Sequence, residues 1–124
     1  MKRLMIVDDE ESFTRLMALN VEDTGDYEVR IVNDASQATR VARLYRPDVV
    51  LLDILMPGKS GIKLAEEWQA DPELSGIPLV FLTAAMSKEQ PMVEGGVLDK
   101  FPVLVKPVSF LDILRQLEAV VSGR

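Results

Sequence analysis

Short, almost continuously apolar runs alternate along the chain with longer segments in which apolar residues recur every three or four positions. The apolar runs predict buried β-strands, and the periodic segments predict amphipathic helices. Unbroken runs of Val, Ile and Leu are typical of strands that are covered on both faces of a sheet. Strands are predicted at 3–7, 28–32, 49–53, 78–82 and 102–105, and helices at 11–24, 35–45, 61–70 and from Ser109 onward.

The alternation of strands with helices predicts a parallel sheet with right-handed crossovers and with helices on both faces. We therefore expect an α/β fold, a doubly wound five-stranded sheet within a single domain over residues 1–124. The flavodoxin-like strand order 2-1-3-4-5 fits the number of elements best. A helix is also expected between the fourth and fifth strands, but Pro91 and Gly95-Gly96 predict that this fourth helix is short or irregular.

Composition narrows the class of protein. Of the 124 residues, 48% are hydrophobic and 27% are charged, which is typical of a soluble globular domain, and no apolar run approaches the length of a membrane span. We expect a cytoplasmic protein, either a stand-alone domain or the first domain of a longer one. The sequence has no histidine and no cysteine, which excludes the usual zinc sites, catalytic triads and cysteine nucleophiles. A net charge of −6 argues against nucleic acid as a partner.

Polar residues stand at the ends of four of the five predicted strands. Asp8 and Asp9 follow the first strand, Asp53 ends the third, Thr83 follows the fourth and Lys106 follows the fifth. Each residue alone has a simpler explanation as part of a turn or a helix start. Because the carboxyl ends of parallel strands line one edge of the sheet, however, we expect these side chains to converge there.

The convergent groups predict a particular chemistry. Three carboxylates in one pocket repel each other unless a cation joins them, and oxygen ligands alone favour Mg²⁺, with Mn²⁺ as a second candidate. A hydroxyl group and an ammonium group opposite the metal would hold the oxygens of a phosphoryl group. This arrangement suits phosphoryl transfer onto a carboxylate. Asp53 is the expected nucleophile, because the adjacent Asp8 and Asp9 are better placed to hold a metal.

The segments IVDDE, VVLLDILMPGKSG, PLVFLTA and VLVKP resemble the receiver domain of two-component response regulators, the CheY-like family. The resemblance covers essentially the whole chain. It implies a phosphoacceptor signalling domain that catalyses only its own phosphorylation and slow dephosphorylation. The donor would be a partner histidine kinase or a histidine phosphotransfer protein, and phosphorylation of Asp53 would change the binding of a downstream partner.

The resemblance also implies the metal ligands. Asp9 would bind Mg²⁺ directly and Asp8 largely through water, with Asp53 and the backbone carbonyl of Leu55 contributing as well. Leu55 and Ala85 depart from the polar residues that steer water toward the phosphoryl group in many receivers. We therefore expect slow self-dephosphorylation.

For the phosphoryl group, the resemblance implies contacts from Thr83 and Lys106, and movement of Thr83 toward the group on activation. The peptide bond between Lys106 and Pro107 would be cis, which is uncommon even before proline. The family usually has an aromatic residue three positions before its lysine, where this chain has Val103, although Phe101 lies two residues away. The chain therefore departs from the family at the position that usually couples to the threonine.

Three alternatives belong to other classes of protein. A haloacid dehalogenase-type phosphatase would carry its nucleophile on the first strand in an Asp-x-Asp pattern, where this chain has Asp8-x-Glu10, and it usually needs a longer chain for its cap domain. A flavodoxin would bind phosphate with its first loop, but the segment DDEES would repel phosphate without a metal. The third alternative is a receiver-like interaction module that works without phosphate.

Overall fold

The computed structural model describes residues 1–84 and 96–123 of the chain. These residues form five strands, four α-helices and one short 3₁₀ helix. The strands are β1 (Lys2–Val7), β2 (Tyr27–Val32), β3 (Val49–Asp53), β4 (Leu79–Thr83) and β5 (Val103–Val105), and the helices are α1 (Glu11–Asp23), α2 (Ala35–Tyr45), α3 (Gly61–Gln69) and α4 (Phe110–Ser122).

The five strands are parallel and follow the order β2-β1-β3-β4-β5, which confirms the predicted flavodoxin-like topology. Helices cover both faces of this sheet. Apolar side chains of α1 and α4 pack on one face, and those of α2 and α3 pack on the other. The two helix layers and the sheet between them form a three-layer α/β sandwich, in which the central strands reach solvent only at their ends.

Burial differs between central and edge strands. Every residue of β3 and β4 is buried, and so are the last four residues of β1. The two edge strands, β2 and β5, are partly exposed, because each has a neighbour on one side only. A prediction from apolar runs alone therefore overestimates the burial of β2 and β5. Their partial exposure follows from their position at the edges of the sheet.

The segment between β4 and β5 contains a 3₁₀ helix, Val97–Asp99. The predicted short fourth helix, around Pro91 and Gly95, lies outside the described residues. The last helix, α4, begins as expected after Ser109, whose hydroxyl oxygen accepts a hydrogen bond from the backbone N–H of Asp112 at 3.1 Å. None of the helices in the two described ranges is long and apolar enough to cross a membrane.

Helix α3 begins in direct contact with the end of β3. The backbone N–H of Gly61, its first residue, donates a hydrogen bond to the carbonyl oxygen of Ile54 at 2.9 Å. A Cβ atom built on Gly61 would lie 2.1 Å from the backbone carbonyl oxygen of Asp53. Glycine is therefore required here for close approach of two backbones, and any side chain would displace the end of the strand.

We predict that Gly61→Ala destabilises the fold by roughly 2–3 kcal/mol, because the added methyl group must push the Asp53 backbone away from its place. Urea unfolding of the purified protein measures this change. Gly76→Ala is the matched control, because nothing lies within 4 Å of a Cβ atom at Gly76. Equal stability of the two variants would contradict the close approach.

Candidate functional site

The register of the sheet brings the predicted strand-end residues to one edge. Pairing of β1 with β3 places Val7 opposite Leu52, so that Asp8 and Asp53 follow on neighbouring strands. Pairing of β4 with β5 places Thr83 opposite Val105, immediately before Lys106. The sequence prediction that these residues share the carboxyl edge is confirmed.

Three carboxylates form the centre of this edge. Asp8, Asp9 and Asp53 each offer an oxygen, and these oxygens all lie within 4.8 Å of one another. Asp8 and Asp53 are buried, whereas Asp9 is exposed to solvent. A cluster of hard oxygen donors with one open side suits Mg²⁺ or Mn²⁺, which keep several waters and take few protein ligands.

Burial and charge oppose ionisation of Asp53. Removal from water, with the charges of Asp8 and Asp9 acting in the same direction, raises the pKa of its carboxyl group to about 7. The ammonium group of Lys106 and a hydrogen bond from the backbone N–H of Leu55 lower the pKa and offset part of this effect. Any further positive charge placed beside Asp53 would therefore stabilise its ionised form.

Lys106 brings positive charge to the cluster from β5. Its side chain is 15% exposed, and Nζ donates hydrogen bonds to Oδ2 of Asp8 and to Oε1 of Glu10, both at 2.8 Å. Burial disfavours the charged ammonium, but these two hydrogen bonds and the negative charges of Asp8 and Asp53 together outweigh it and raise the pKa of Lys106. The peptide bond between Lys106 and Pro107 is cis, as the family resemblance implied.

Sequence reasoning gave no role to several residues that contact this site. Nζ of Lys106 lies 4.5 Å from the ring centroid of Phe13, a cation–π distance, in addition to its bond with Glu10. The side-chain amide of Asn33 donates to the carbonyl oxygen of Asp8 at 2.8 Å and to the hydroxyl of Thr14 at 3.0 Å, which braces the loop after β1. The sequence offered one signal for Glu10: it stands at a helix start, where a shorter polar residue is usual, which could have indicated another role for its side chain.

Two of the residues that depart from the family pattern, Leu55 and Val103, lie within the described residues. Leu55 follows Asp53 by two positions and is 53% exposed. Val103 pairs with Phe81 across β4 and β5, and Phe101 contacts the edge of the Phe81 ring with centroids 6.2 Å apart. Aromatic packing in this part of the sheet thus runs between Phe101 and Phe81. Ala85 lies outside the described residues.

The raised pKa of Asp53 makes the stability of the metal-free protein depend on pH. The folded state holds the proton up to a pKa of about 7, whereas the ordinary carboxyl value is 3.8. The stability that this proton gives is complete below pH 4 and is lost as the pH rises through 7. Asp53→Asn cannot lose a proton, so we predict that it is more stable than the unmodified protein at pH 8 by roughly 1–2 kcal/mol.

Urea unfolding in the presence of EDTA measures this difference. The gain in stability from Asp53→Asn should be small at pH 4.5, should grow as the pH rises to about 7, and should level off by pH 8. Asp34→Asn is a control, since that carboxyl is exposed and a hydrogen bond from Ser36 lowers its pKa. A gain from Asp53→Asn that is the same at both pH values would contradict the raised pKa.

Comparisons with known proteins bear on this site. A sequence model described as the response regulator receiver domain matches residues 4–118. The chain is 37% identical over 83 residues to the DNA-binding response regulator MtrA of Mycolicibacterium smegmatis, covering 67% of this chain and 35% of MtrA. It is 34% identical to the phosphate regulon transcriptional regulatory protein PhoB of Pseudomonas aeruginosa, covering 96% of this chain and 51% of PhoB. The chain thus spans only a third to a half of these two relatives.

Protein PilH of Pseudomonas aeruginosa is similar over its full length, with 32% identity that covers 99% of this chain and 100% of PilH. Among solved structures, the Vibrio cholerae chemotaxis protein CheY4 superposes with a TM-score of 0.80 at 25% identity, covering 97% of this chain and 98% of that one. The receiver domain of a Syntrophus aciditrophicus signal transduction histidine kinase has the same fold, with a TM-score of 0.83 at 23% identity, covering 99% and 92% of the two chains.

The family match covers nearly all of the described residues and includes each strand whose end contributes to the site. It decides against the haloacid dehalogenase and flavodoxin alternatives, and it indicates a signalling domain instead of an enzyme with a separate substrate. The chain belongs to the receiver domain family of two-component response regulators.

Proposed function

We propose that the chain accepts a phosphoryl group on Asp53 in a Mg²⁺-dependent reaction and that this modification changes the binding of a protein partner. The donor is a phosphohistidine of a sensor histidine kinase or of a histidine phosphotransfer protein. Membership of the receiver family supports the class of donor. The net charge of −6 supports a protein, in preference to nucleic acid, as the partner of this domain. A cytoplasmic location stays a prediction.

The observation that carries this proposal is the position of Asp53 beside two further carboxylates and near one ammonium group. Its carboxylate lies within 4.8 Å of oxygens from Asp8 and Asp9. The ammonium group of Lys106 forms an ion pair with Asp8 at 2.8 Å. A buried carboxylate in such a place has little structural use, because burial and repulsion both oppose its charge. The arrangement is reasonable for a nucleophile that works beside a divalent cation.

In the proposed reaction, a carboxylate oxygen of Asp53 attacks the phosphorus atom of the donor. A P–O bond forms to Asp53 while the P–N bond to the partner's histidine breaks, and the leaving imidazole nitrogen takes the electron pair and then a proton from solvent. The product is an acyl phosphate on Asp53. Asp8 and Asp9, together with the Leu55 carbonyl oxygen, are the proposed metal ligands beside it.

Charge on the transferred group is the main obstacle to this step. When bound, Mg²⁺ would neutralise charge on the carboxylates and on the phosphoryl oxygens. Lys106 is proposed to leave Asp8 and bond one phosphoryl oxygen, and the hydroxyl of Thr83 to donate to another. Movement of Thr83 toward the phosphoryl group would then carry the modification to the surface that the partner recognises.

Phosphoryl uptake is the direct test. We predict that incubation with acetyl phosphate and Mg²⁺ adds the mass of one phosphoryl group, and that this gain is absent with EDTA and absent in Asp53→Asn. Intact-protein mass spectrometry measures the gain. Asp34→Asn serves as the matched control, because Asp34 is an exposed carboxylate that caps α2 by accepting the backbone N–H of Ser36 and is not one of the three clustered carboxylates.

If acetyl phosphate fails, a phosphorylated histidine kinase or phosphotransfer protein is the second donor to test. Uptake that persists in Asp53→Asn would contradict the assignment of the nucleophile. No uptake from either kind of donor would contradict the proposed function and would favour the phosphate-independent interaction module.

We further predict slow self-dephosphorylation, because the half-exposed, apolar Leu55 side chain cannot orient a water molecule toward the phosphoryl group. Leu55→Asn supplies a side chain that can do so, and it should shorten the phosphoryl lifetime by about 5–10-fold, less than a general acid or base contributes, because an amide only orients the water. Loss of the phosphoryl mass with time, after removal of the donor, measures the lifetime.

Leu44→Asn is the matched control for this substitution, since Leu44 on α2 is 75% exposed and the same change there should leave the lifetime unaltered. A lifetime of seconds in the unmodified protein, or an unchanged lifetime in Leu55→Asn, would count against this role of Leu55.

A further inference from the structure

The ammonium group of Lys106 is held by three side chains on the β1–α1 side of the site. Nζ lies 2.8 Å from Oδ2 of Asp8, 2.8 Å from Oε1 of Glu10 and 4.5 Å from the ring centroid of Phe13. The carboxylate of Asp8 is fixed in turn, because its Oδ1 accepts the backbone N–H of Glu10 at 2.9 Å. These contacts define one resting position of the lysine, with the ammonium on Asp8.

Helix capping does not account for a glutamate at position 10. It is the N-cap residue of α1, with extended backbone angles, yet its side chain makes no capping hydrogen bond. Ser, Thr, Asp or Asn at an N-cap stabilises a helix by bonding its free N–H groups, and glutamate is not among the favoured residues. The side chain of Glu10 instead extends across the site to Lys106, 96 residues further along the chain.

An ammonium group has three N–H donors, and two of them are already used on carboxylates. Both bonds hold the ammonium on the β1–α1 side, so turning Nζ toward a phosphoryl oxygen on Asp53 would weaken them. The side chain of Glu10 is 59% exposed, and Glu10 is not one of the three clustered carboxylates.

We propose that Glu10 is a positioning residue that holds Lys106 on Asp8 in the resting protein, and that breaking the Glu10–Lys106 ion pair is part of the barrier to phosphoryl uptake. This inference rests on the proposed function and adds a residue to it. The ion pair stabilises the resting protein and is absent once Lys106 bonds the phosphoryl group, so it slows uptake.

The resting ion pair can be tested in the metal-free protein, without any phosphoryl donor. Glu10→Gln should lower the Tm by about 2–4 °C, because it removes one of the two carboxylates on Lys106. In a Lys106→Met background, the same change should have no effect or should raise the Tm, since Glu10 then has no cation to bind. Glu11→Gln, an equal change of charge one residue away, should act identically in both backgrounds.

The effect on uptake is tested by initial rates from acetyl phosphate at saturating Mg²⁺ and at a donor concentration far below saturation. Glu10→Gln should accelerate uptake by about 2–5-fold, the range for a half-exposed ion pair, while Glu11→Gln leaves the rate unchanged. Glu10→Asp separates contact from charge, because it keeps the charge on a side chain one methylene group shorter. It should accelerate uptake as Glu10→Gln does, and aspartate also suits an N-cap.

The outcomes distinguish this inference from the function on which it rests. Uptake by the unmodified protein with equal or slower rates in both Glu10 variants overturns the role of Glu10 and leaves the proposed function intact. Acceleration in Glu10→Gln but not in Glu10→Asp shows an effect of charge alone and also overturns it, as does a Tm change that is independent of Lys106. Absence of uptake in the unmodified protein from every donor overturns both.

Discussion

Carboxylates crowd together at the carboxyl edge of the sheet, where burial and their mutual repulsion both oppose ionisation. Asp8 and Asp53 are buried at the ends of neighbouring strands, and Asp9 completes a set of oxygens within 4.8 Å. Burial, followed by repulsion from Asp8, raises the pKa of Asp53 to about 7, and the charge of Lys106 offsets part of this effect. A divalent cation would relieve the remainder, so the proposed metal binding and the proposed reactivity of Asp53 would share one electrostatic origin.

The repulsion persists because the scaffold does not let the carboxylates separate. The strands that hold Asp8 and Asp53 are paired in register and covered by helices on both faces. The backbone of Gly61 packs against that of Asp53 too closely for any side chain. Lys106 is placed differently, since it follows a three-residue strand at the edge of the sheet. The site thus combines carboxylates fixed by the core with a cation carried by the least buried strand.

Much of this could be predicted from the sequence, because the relevant signals are local. Buried strands appear as apolar runs, and the residue that ends each run is at the sheet edge in any parallel fold. The contacts of Glu10 and Phe13 with Lys106 could not be predicted in this way, since they join residues more than ninety positions apart through side-chain geometry. The partial exposure of β2 and β5 likewise follows from which strands lie at the edges, which apolar runs do not reveal.

The central claim is that Asp53, and neither of its two neighbouring carboxylates, carries the phosphoryl group. Reduction of the phosphorylated protein with borohydride converts an acyl phosphate on aspartate to homoserine, and peptide mass spectrometry then locates the modified residue. The account predicts homoserine at position 53 alone, formed only in samples that contained Mg²⁺ and donor. Homoserine at Asp8 or Asp9, with Asp53 unchanged, would contradict it.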